Sequence, residues 1–229
     1  MPRTGLLDGP GFWERLLRLL YPEKCVFCGT ILPETAKIST CKVCHATLPR
    51  YGRGFERAPH IPWVNGLFAA FVYEDMVEQA IHAMKFFGRP RTAHTLAFLM
   101  WEEMGRHPMM PDCDLIVPVP MHRRKQLSRG YNQSGIIGQA LGEMLDIPVE
   151  HALIKTRHTK PQSLSTREER LTNLEDAFRV ADPTVVAGRS ILLVDDVATT
   201  GATLGACARA LREAGASWIF AAVIAIAGK

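Results

Sequence analysis

An apolar run ends in two adjacent carboxylates and then a short loop of small and hydroxylated residues: Ile191-Leu-Leu-Val-Asp195-Asp196-Val-Ala198-Thr199-Thr200-Gly201-Ala202-Thr203. These residue types suit a sugar phosphate. Small residues let the backbone come close to a phosphate, while Thr hydroxyls, loop N–H groups and a following helix N-terminus donate to it. Ionised Asp195 and Asp196 only accept hydrogen bonds, which suits a vicinal diol such as ribose O2 and O3. Carboxylates repel phosphate, so they belong on the sugar side. An apolar run followed by acids also describes a Walker B strand, but no Gly-x-x-x-x-Gly-Lys-Ser/Thr accompanies it. An ordinary strand-to-helix turn capped by acids and threonines explains parts of the string. The complete string favours a ligand site.

Asp195 to Thr203 resembles the motif by which type I phosphoribosyltransferases bind 5-phosphoribosyl-1-pyrophosphate (PRPP). The resemblance implies that Asp195 and Asp196, the catalytic pair, bind the ribose hydroxyls. It also implies that Ala198, Thr199, Thr200, Gly201, Ala202 and Thr203 wrap the 5-phosphate. Such a site must also hold pyrophosphate. Leu115-Ile-Val-Pro-Val-Pro120 reads as a strand, and Met-His-Arg123-Arg124-Lys125 follows it. Arg123, Arg124 and Lys125 can neutralise a polyanion; an exposed basic turn is the plainer reading. Next comes Arg129-Gly-Tyr131-Asn132-Gln133 at the start of a helix. An aromatic beside two amides can stack on and hydrogen-bond a base or another planar acceptor. Equally, Asn132 can cap the helix and Tyr131 can pack. Residues 155–173, basic, rich in hydroxyls and including Lys160, fit a mobile lid that adds cations over pyrophosphate. A solvated loop and helix is the alternative. Mg²⁺ is the expected metal here, held by ligand oxygens and water.

The elements that must position these residues are legible as a pattern. Short apolar strands at 67–73, 115–119, 190–194 and 217–225 alternate with helices at 76–87, 91–105, 132–145 and 203–214, the last ending at Gly215. Strands apolar on both faces and separated by helices imply an α/β fold with a parallel sheet flanked by helices. With 229 residues the chain accommodates one such domain and a small satellite. Net charge is +4, too modest to argue for nucleic acid. Residues 1–60 and 122–170 are each basic, with 9 Lys and Arg against 5 Asp and Glu. Residues 11–20 read as a short amphipathic helix. Asp8 and Glu14 interrupt any signal-peptide pattern, and the apolar run Trp218 to Ala227 is too short to span a bilayer. A cytoplasmic protein is expected.

Cys25-x-x-Cys28 and Cys41-x-x-Cys44 are separated by 12 residues. Four thiolates in two tight knuckles complete a tetrahedral Zn²⁺ site of the closed, structural kind. An iron–sulfur cluster fits the same spacing, whereas disulfides are disfavoured in the cytoplasm. A module this small has too little core without a metal. Cys113 and Cys207 are expected as packed interior residues.

A four-cysteine ribbon ahead of a phosphoribosyltransferase domain resembles the ComF family. The resemblance also rests on Ile81-His-Ala-Met-Lys85, Val117-Pro-Val-Pro120, Arg129 to Gln133, Lys160-Pro-Gln162, Arg170 to Phe178 and Asp195 to Thr203. It implies an extension at 1–15, a zinc ribbon at 16–55, a linker at 56–66 and a type I phosphoribosyltransferase fold at 67–229. It further implies a role in natural competence and DNA uptake, with single-stranded DNA and a competence helicase as partners. Three functions stay open: a Mg²⁺-dependent phosphoribosyltransferase, a non-catalytic accessory that binds single-stranded DNA, and a purine or pyrimidine salvage enzyme.

Overall fold

Four runs that are apolar on both faces form the centre of the fold, as strands covered by helices on either side must be. They are β1 (Gly66–Val72), β2 (Leu115–Pro118), β5 (Ser190–Ala198) and β6 (Trp218–Ile226). They make a four-stranded, all-parallel sheet in the order β1-β6-β5-β2. The structure, a computed structural model, describes residues 22–36, 38–58, 60–86, 90–107, 109–156 and 177–227. The helix expected at residues 11–20 lies outside them. The chain divides into two compact units, Met1–Thr47 and Leu48–Lys229. The smaller contains α1 (Lys42–Thr47). The larger contains the sheet with α2 (Asp75–Phe86), α3 (Pro90–Met104), α4 (Arg123–Arg129), α5 (Gln133–Leu145) and α6 (Ala202–Glu213).

The helices cover the sheet because their apolar positions recur at helical spacing. α6 buries Leu204, Cys207 and Leu211 in one core with Ile191, Leu193, Ala221 and Val223 of the sheet. α3 packs on α5 and β1, and α5 packs on β2 and β5. Residues 56–66, expected as a linker, supply Ala58 and Ile61 to the core of the larger unit. A small antiparallel sheet, β3 (Leu153–Lys155) with β4 (Phe178–Val180), packs against α6. No helix among the described residues is long and apolar enough to cross a membrane.

Two departures from the sequence pattern matter for the site. The basic stretch after β2, expected as a loop, is the short helix α4. The His122 Nδ1 accepts from the Arg124 N–H at its start, and Gly130 closes it at φ 82°. β5 was expected to end at Val194, yet it continues to Ala198 because β6 keeps pairing with it as far as Ala198 against Ile226.

α5 lies close to β2 because it carries glycine where the chain folds back. After Leu145 the backbone turns through Asp146 at φ 57° and returns across the helix. Ile116 then bonds Pro148 and Glu150, which adds Val149 to the edge of β2. A Cβ on Gly142 would stand 2.4 Å from Val149 Cγ2 and 2.8 Å from the Ile147 carbonyl oxygen. Gly142→Ala is therefore expected to destabilise the protein by about 1–3 kcal/mol, the range for overpacking, measured by urea unfolding. Ser128→Ala on the exposed face of α4 serves as the neutral control.

Candidate functional site

The last residues of β5 acquire their chemistry from the early end of β2. The ladder between β2 and β5 closes with the Val119 N–H bonded to the Val194 carbonyl. Beyond that point β5 keeps β6 on one side only, and Asp195 and Asp196 face an opening at the carboxyl ends of the strands. Ligands of open α/β sheets bind there. The opening is a cleft of about 250 Å³. Its walls carry Asp195, Asp196 and Thr203, with Lys125 and Arg129 of α4, Asn132, and Gln133 and Ser134 of α5. Lys85 of α2, Lys155 of β3, and Val119 to His122 complete the lining.

Successive strand residues project to opposite faces, so the two acids find different partners. Ser134 Oγ donates to Asp195 Oδ1 at 2.7 Å, and the Asp196 N–H donates to the same oxygen at 2.9 Å. Asp196 Oδ1 pairs with Lys85 Nζ at 2.9 Å. Burial, and then the Asp196 charge, raise the Asp195 carboxyl from the ordinary carboxylate range to about 7, while Ser134 and Lys85 act in the other direction. Lys155 is lowered by burial and by the nearby Lys125. Its ammonium stands 5.0 Å from the centre of the Phe178 ring. The cleft thus sets four basic side chains, Lys85, Lys125, Arg129 and Lys155, against two acids, of which one is held near neutrality. Such a balance suits an anionic ligand that also presents hydroxyls.

The loop after β5 is shaped by one glycine. Gly201 is the N-cap of α6 at φ 74°, a left-handed conformation that residues with a Cβ rarely adopt. A Cβ there would also stand 2.4 Å from Ile61 Cγ1. Thr199 is exposed, Thr200 half-buried, and Ala198, Gly201 and Ala202 are buried. The Thr200 Oγ1 accepts from the Ala202 N–H at 3.4 Å. The loop thereby presents the start of a twelve-residue helix, whose first N–H groups lack intrahelical partners.

The other candidates fall in several places. Lys125 lines the cleft, whereas Arg123 and Arg124 are exposed on α4 and are not among the lining residues. The Tyr131 hydroxyl donates to the Met84 carbonyl, which ties this segment to the last turn of α2. Asn132 occupies the N-cap position of α5 without a side-chain capping bond; its Nδ2 donates instead to the Val119 carbonyl at 3.1 Å. Gln133 is fully buried, and both its amide atoms, like Asn132 Oδ1, lack a partner among the described residues. Lys160 and residues 157–176 lie outside the described residues. Lys85, Ser134, Arg129 and His122 had no assigned place in the site, and Lys155 was expected in the lid. Lys85 stood within a family motif and Lys155 opened the basic segment, but only the fold brings them to the acids.

In the smaller unit, Cys25, Cys28, Cys41 and Cys44 place their sulfurs within 4.8 Å of one another. The Cys25 N–H donates to the Thr30 carbonyl and the Gly29 N–H to the Cys25 carbonyl, forming a tight knuckle. The Cys41 N–H points at Cys25 Sγ and the Cys44 N–H at Cys41 Sγ, both at 3.4 Å. The Cys28 thiol is pulled down to about 6, first by the Thr30 hydroxyl. Cys28 Sγ and Cys41 Sγ are 3.8 Å apart, matching the roughly 3.8 Å edge of a tetrahedron with 2.3 Å metal–sulfur bonds. The four residues fit a single metal ion.

The parallel sheet flanked by helices, with an acid pair and a small-residue loop at its carboxyl edge, is a type I phosphoribosyltransferase domain. Residues 128–229 match the family described as Phosphoribosyl transferase domain. The DNA utilization protein YhgH of Salmonella typhi is 32% identical over 204 residues, covering 85% of this chain and 86% of that protein. Competence protein ComFC of Bacillus subtilis is 32% identical over 148 residues, 64% of this chain and 58% of that one. The chain belongs to this family of DNA utilization and competence proteins, the ComF family. Among solved structures, the glutamine PRPP amidotransferase of B. subtilis aligns with a TM-score of 0.42 and 20% identity, covering 62% of this chain and 30% of that one.

The raised Asp195 carboxyl has a consequence for stability. Its proton is held to about pH 7 in the folded protein but released near the ordinary carboxylate value of 3.8 in the unfolded chain. Between those values the native state binds more protons, so this group's contribution falls as pH rises and levels off above about pH 7. Asp195→Asn removes that loss. The variant is expected to match the wild type near pH 4 and to exceed it by about 1–3 kcal/mol above pH 7, as read by thermal unfolding at both pH values.

Proposed function

We propose that the cleft binds PRPP or a related 5-phosphorylated ribose, and that the protein uses this site in the handling of DNA taken up by the cell. One observation carries the reading: an acid pair at the free end of β5 faces basic side chains across a cleft, beside a glycine-capped helix start. In this arrangement Asp195 and Asp196 accept the ribose hydroxyls. The N–H groups from Ala198 to Thr203 hold the 5-phosphate at the positive end of α6. Lys125, Arg129 and Lys155 oppose the pyrophosphate, joined by Arg123, Arg124 and Lys160 as the ligand draws them in. Asn132 and Gln133 offer unpaired amide atoms to the acceptor side of the ligand, while Tyr131 holds the segment in place. Mg²⁺ arriving with the ligand would supply charge neutralisation for its phosphates, opposite Lys125, Arg129 and Lys155.

The chemistry this supports is phosphoribosyl transfer. The C1–oxygen bond breaks, its electron pair leaves with pyrophosphate, and an acceptor nucleophile bonds to C1 and loses its proton to solvent. Positioning and charge stabilisation suffice, with no covalent protein nucleophile. The names of the relatives, DNA utilization and competence proteins, support placing the function in DNA uptake; single-stranded DNA and a competence helicase are the partners we propose. We further propose Zn²⁺ for the four-cysteine cluster, in a closed tetrahedral site that folds the smaller unit.

Calorimetry with PRPP and Mg²⁺ tests the ligand. The wild type is expected to release heat of binding, and the double variant Asp195→Asn, Asp196→Asn to bind at least about tenfold more weakly, a loss of about 1.4 kcal/mol. Absence of binding by the wild type would contradict the reading. Native mass spectrometry tests the metal. One zinc per chain is expected, and Cys41→Ser should lose it. Full zinc in that variant would refute the four-cysteine site.

A further inference from the structure

His122 lines the cleft and also caps α4. The cap bond decides the chemistry of the ring. The Arg124 N–H points at Nδ1 at 3.2 Å, so Nδ1 must offer a lone pair. A neutral imidazole has a single N–H, which then belongs to Nε2. A proton added to Nδ1 would set N–H against N–H and cost α4 its cap. The ring is thus a neutral donor of fixed tautomer, and its donating atom lies at the outer end of the side chain.

The segment that carries the ring is tied at several points. The Asn132 Nδ2 donates to the Val119 carbonyl at 3.1 Å and closes the neck of residues 120–131. The His122 carbonyl accepts from the Lys125 and Gln126 N–H groups, so backbone and side chain of one residue both anchor the helix. α4 buries none of its residues, and these polar ties carry what packing does not. One segment therefore brings a neutral N–H from His122 and two cations, Lys125 and Arg129, to the cleft wall.

We propose that His122 is a catalytic residue that donates from Nε2 to the leaving pyrophosphate. This rests on the phosphoribosyl reading of the cleft and adds to it a donor aimed at the departing group. As the C1–oxygen bond breaks, its electron pair stays on the pyrophosphate oxygen. The proton remains on Nε2, and its hydrogen bond tightens as that oxygen gains charge. An ammonium on a flexible stem neutralises charge from many directions. A capped imidazole meets an oxygen in one place only. Binding also acts back on the helix: an anion on the Nε2–H makes Nδ1 a better acceptor, so the cap bond strengthens with it.

The experiment separates the cap from the donor. His122→Asn keeps an oxygen near the position of Nδ1, a good helix cap, but has no atom that reaches as far as Nε2. His122→Gln carries an N–H donor about as far out as Nε2 and caps poorly. His122→Ala lacks both. Melting temperatures confirm that each variant is folded. Calorimetry compares inorganic pyrophosphate with ribose 5-phosphate as the reference ligand. In His122→Asn and His122→Ala, affinity for pyrophosphate relative to ribose 5-phosphate is expected to fall about tenfold, one hydrogen bond to a charged group. His122→Gln is expected to stay within about threefold of the wild type. Nitrogen NMR of the wild-type imidazole should show Nε2 protonated and Nδ1 bare, with the Nε2 proton moved downfield by pyrophosphate. Wild-type pyrophosphate affinity in His122→Asn, a loss in His122→Gln as large as in His122→Ala, or a proton on Nδ1 would overturn the inference. A wild type that binds ribose 5-phosphate but not pyrophosphate would overturn it too. A wild type that binds neither refutes the phosphoribosyl reading itself.

Discussion

A mismatch in strand length creates this site. β2 ends at Pro118, and its last bond to β5 is from the Val119 N–H to the Val194 carbonyl. β5 is held in extended form through Ala198 by β6 on its other side. The residues from Asp195 onward are thus fixed as rigidly as a sheet interior, yet open on one flank. Charged side chains in the middle of a fully paired, helix-covered strand would have to be buried without compensation. At this free end they meet a serine, a lysine and a cleft. The early termination of one strand allows two acids to sit on another.

The surrounding elements serve that arrangement in separate ways. α5 brings Ser134 to Asp195 and α2 brings Lys85 to Asp196. Tyr131 ties the two regions together through the Met84 carbonyl. Ile61 occupies the space that a side chain at Gly201 would need, so the loop, the start of α6 and the segment before β1 define one another. The Asp195 carboxyl is kept in an environment that disfavours its charge, a strain on stability of the kind functional sites commonly carry. Gln133 adds a second strain, since a buried amide without partners among the described residues is costly.

Much of this was legible in the sequence, and the limits have physical causes. The strands could be read because they are continuously apolar. The acid pair and its loop could be read because Asp-Asp followed by Thr-Thr-Gly-Ala-Thr is a local device, with each residue acting near its neighbours. The cysteine spacing was legible for the same reason. The helix α4 was hidden because its sequence, Arg-Arg-Lys-Gln-Leu-Ser-Arg, has no apolar face and buries nothing. The extension of β5 was hidden because Asp is a poor strand former and only pairing with β6 overrides that. Lys85 and Ser134 could not be assigned from sequence at all. They are far from the acids in the chain, and their roles arise from where α2 and α5 end and begin. Tyr131 and Asn132 carried two readings each, and backbone carbonyls at Met84 and Val119 account for one hydrogen bond of each.

The central claim is that the free end of β5 is built to hold a phosphorylated ribose by its diol. A crystal structure of the protein soaked with ribose 5-phosphate tests it most directly. The expected result is a sugar with O2 and O3 within hydrogen-bond distance of Asp195 and Asp196, and its phosphate against the N–H groups between Ala198 and Thr203. A sugar whose hydroxyls lie away from both acids, or whose phosphate sits elsewhere in the cleft, would contradict it.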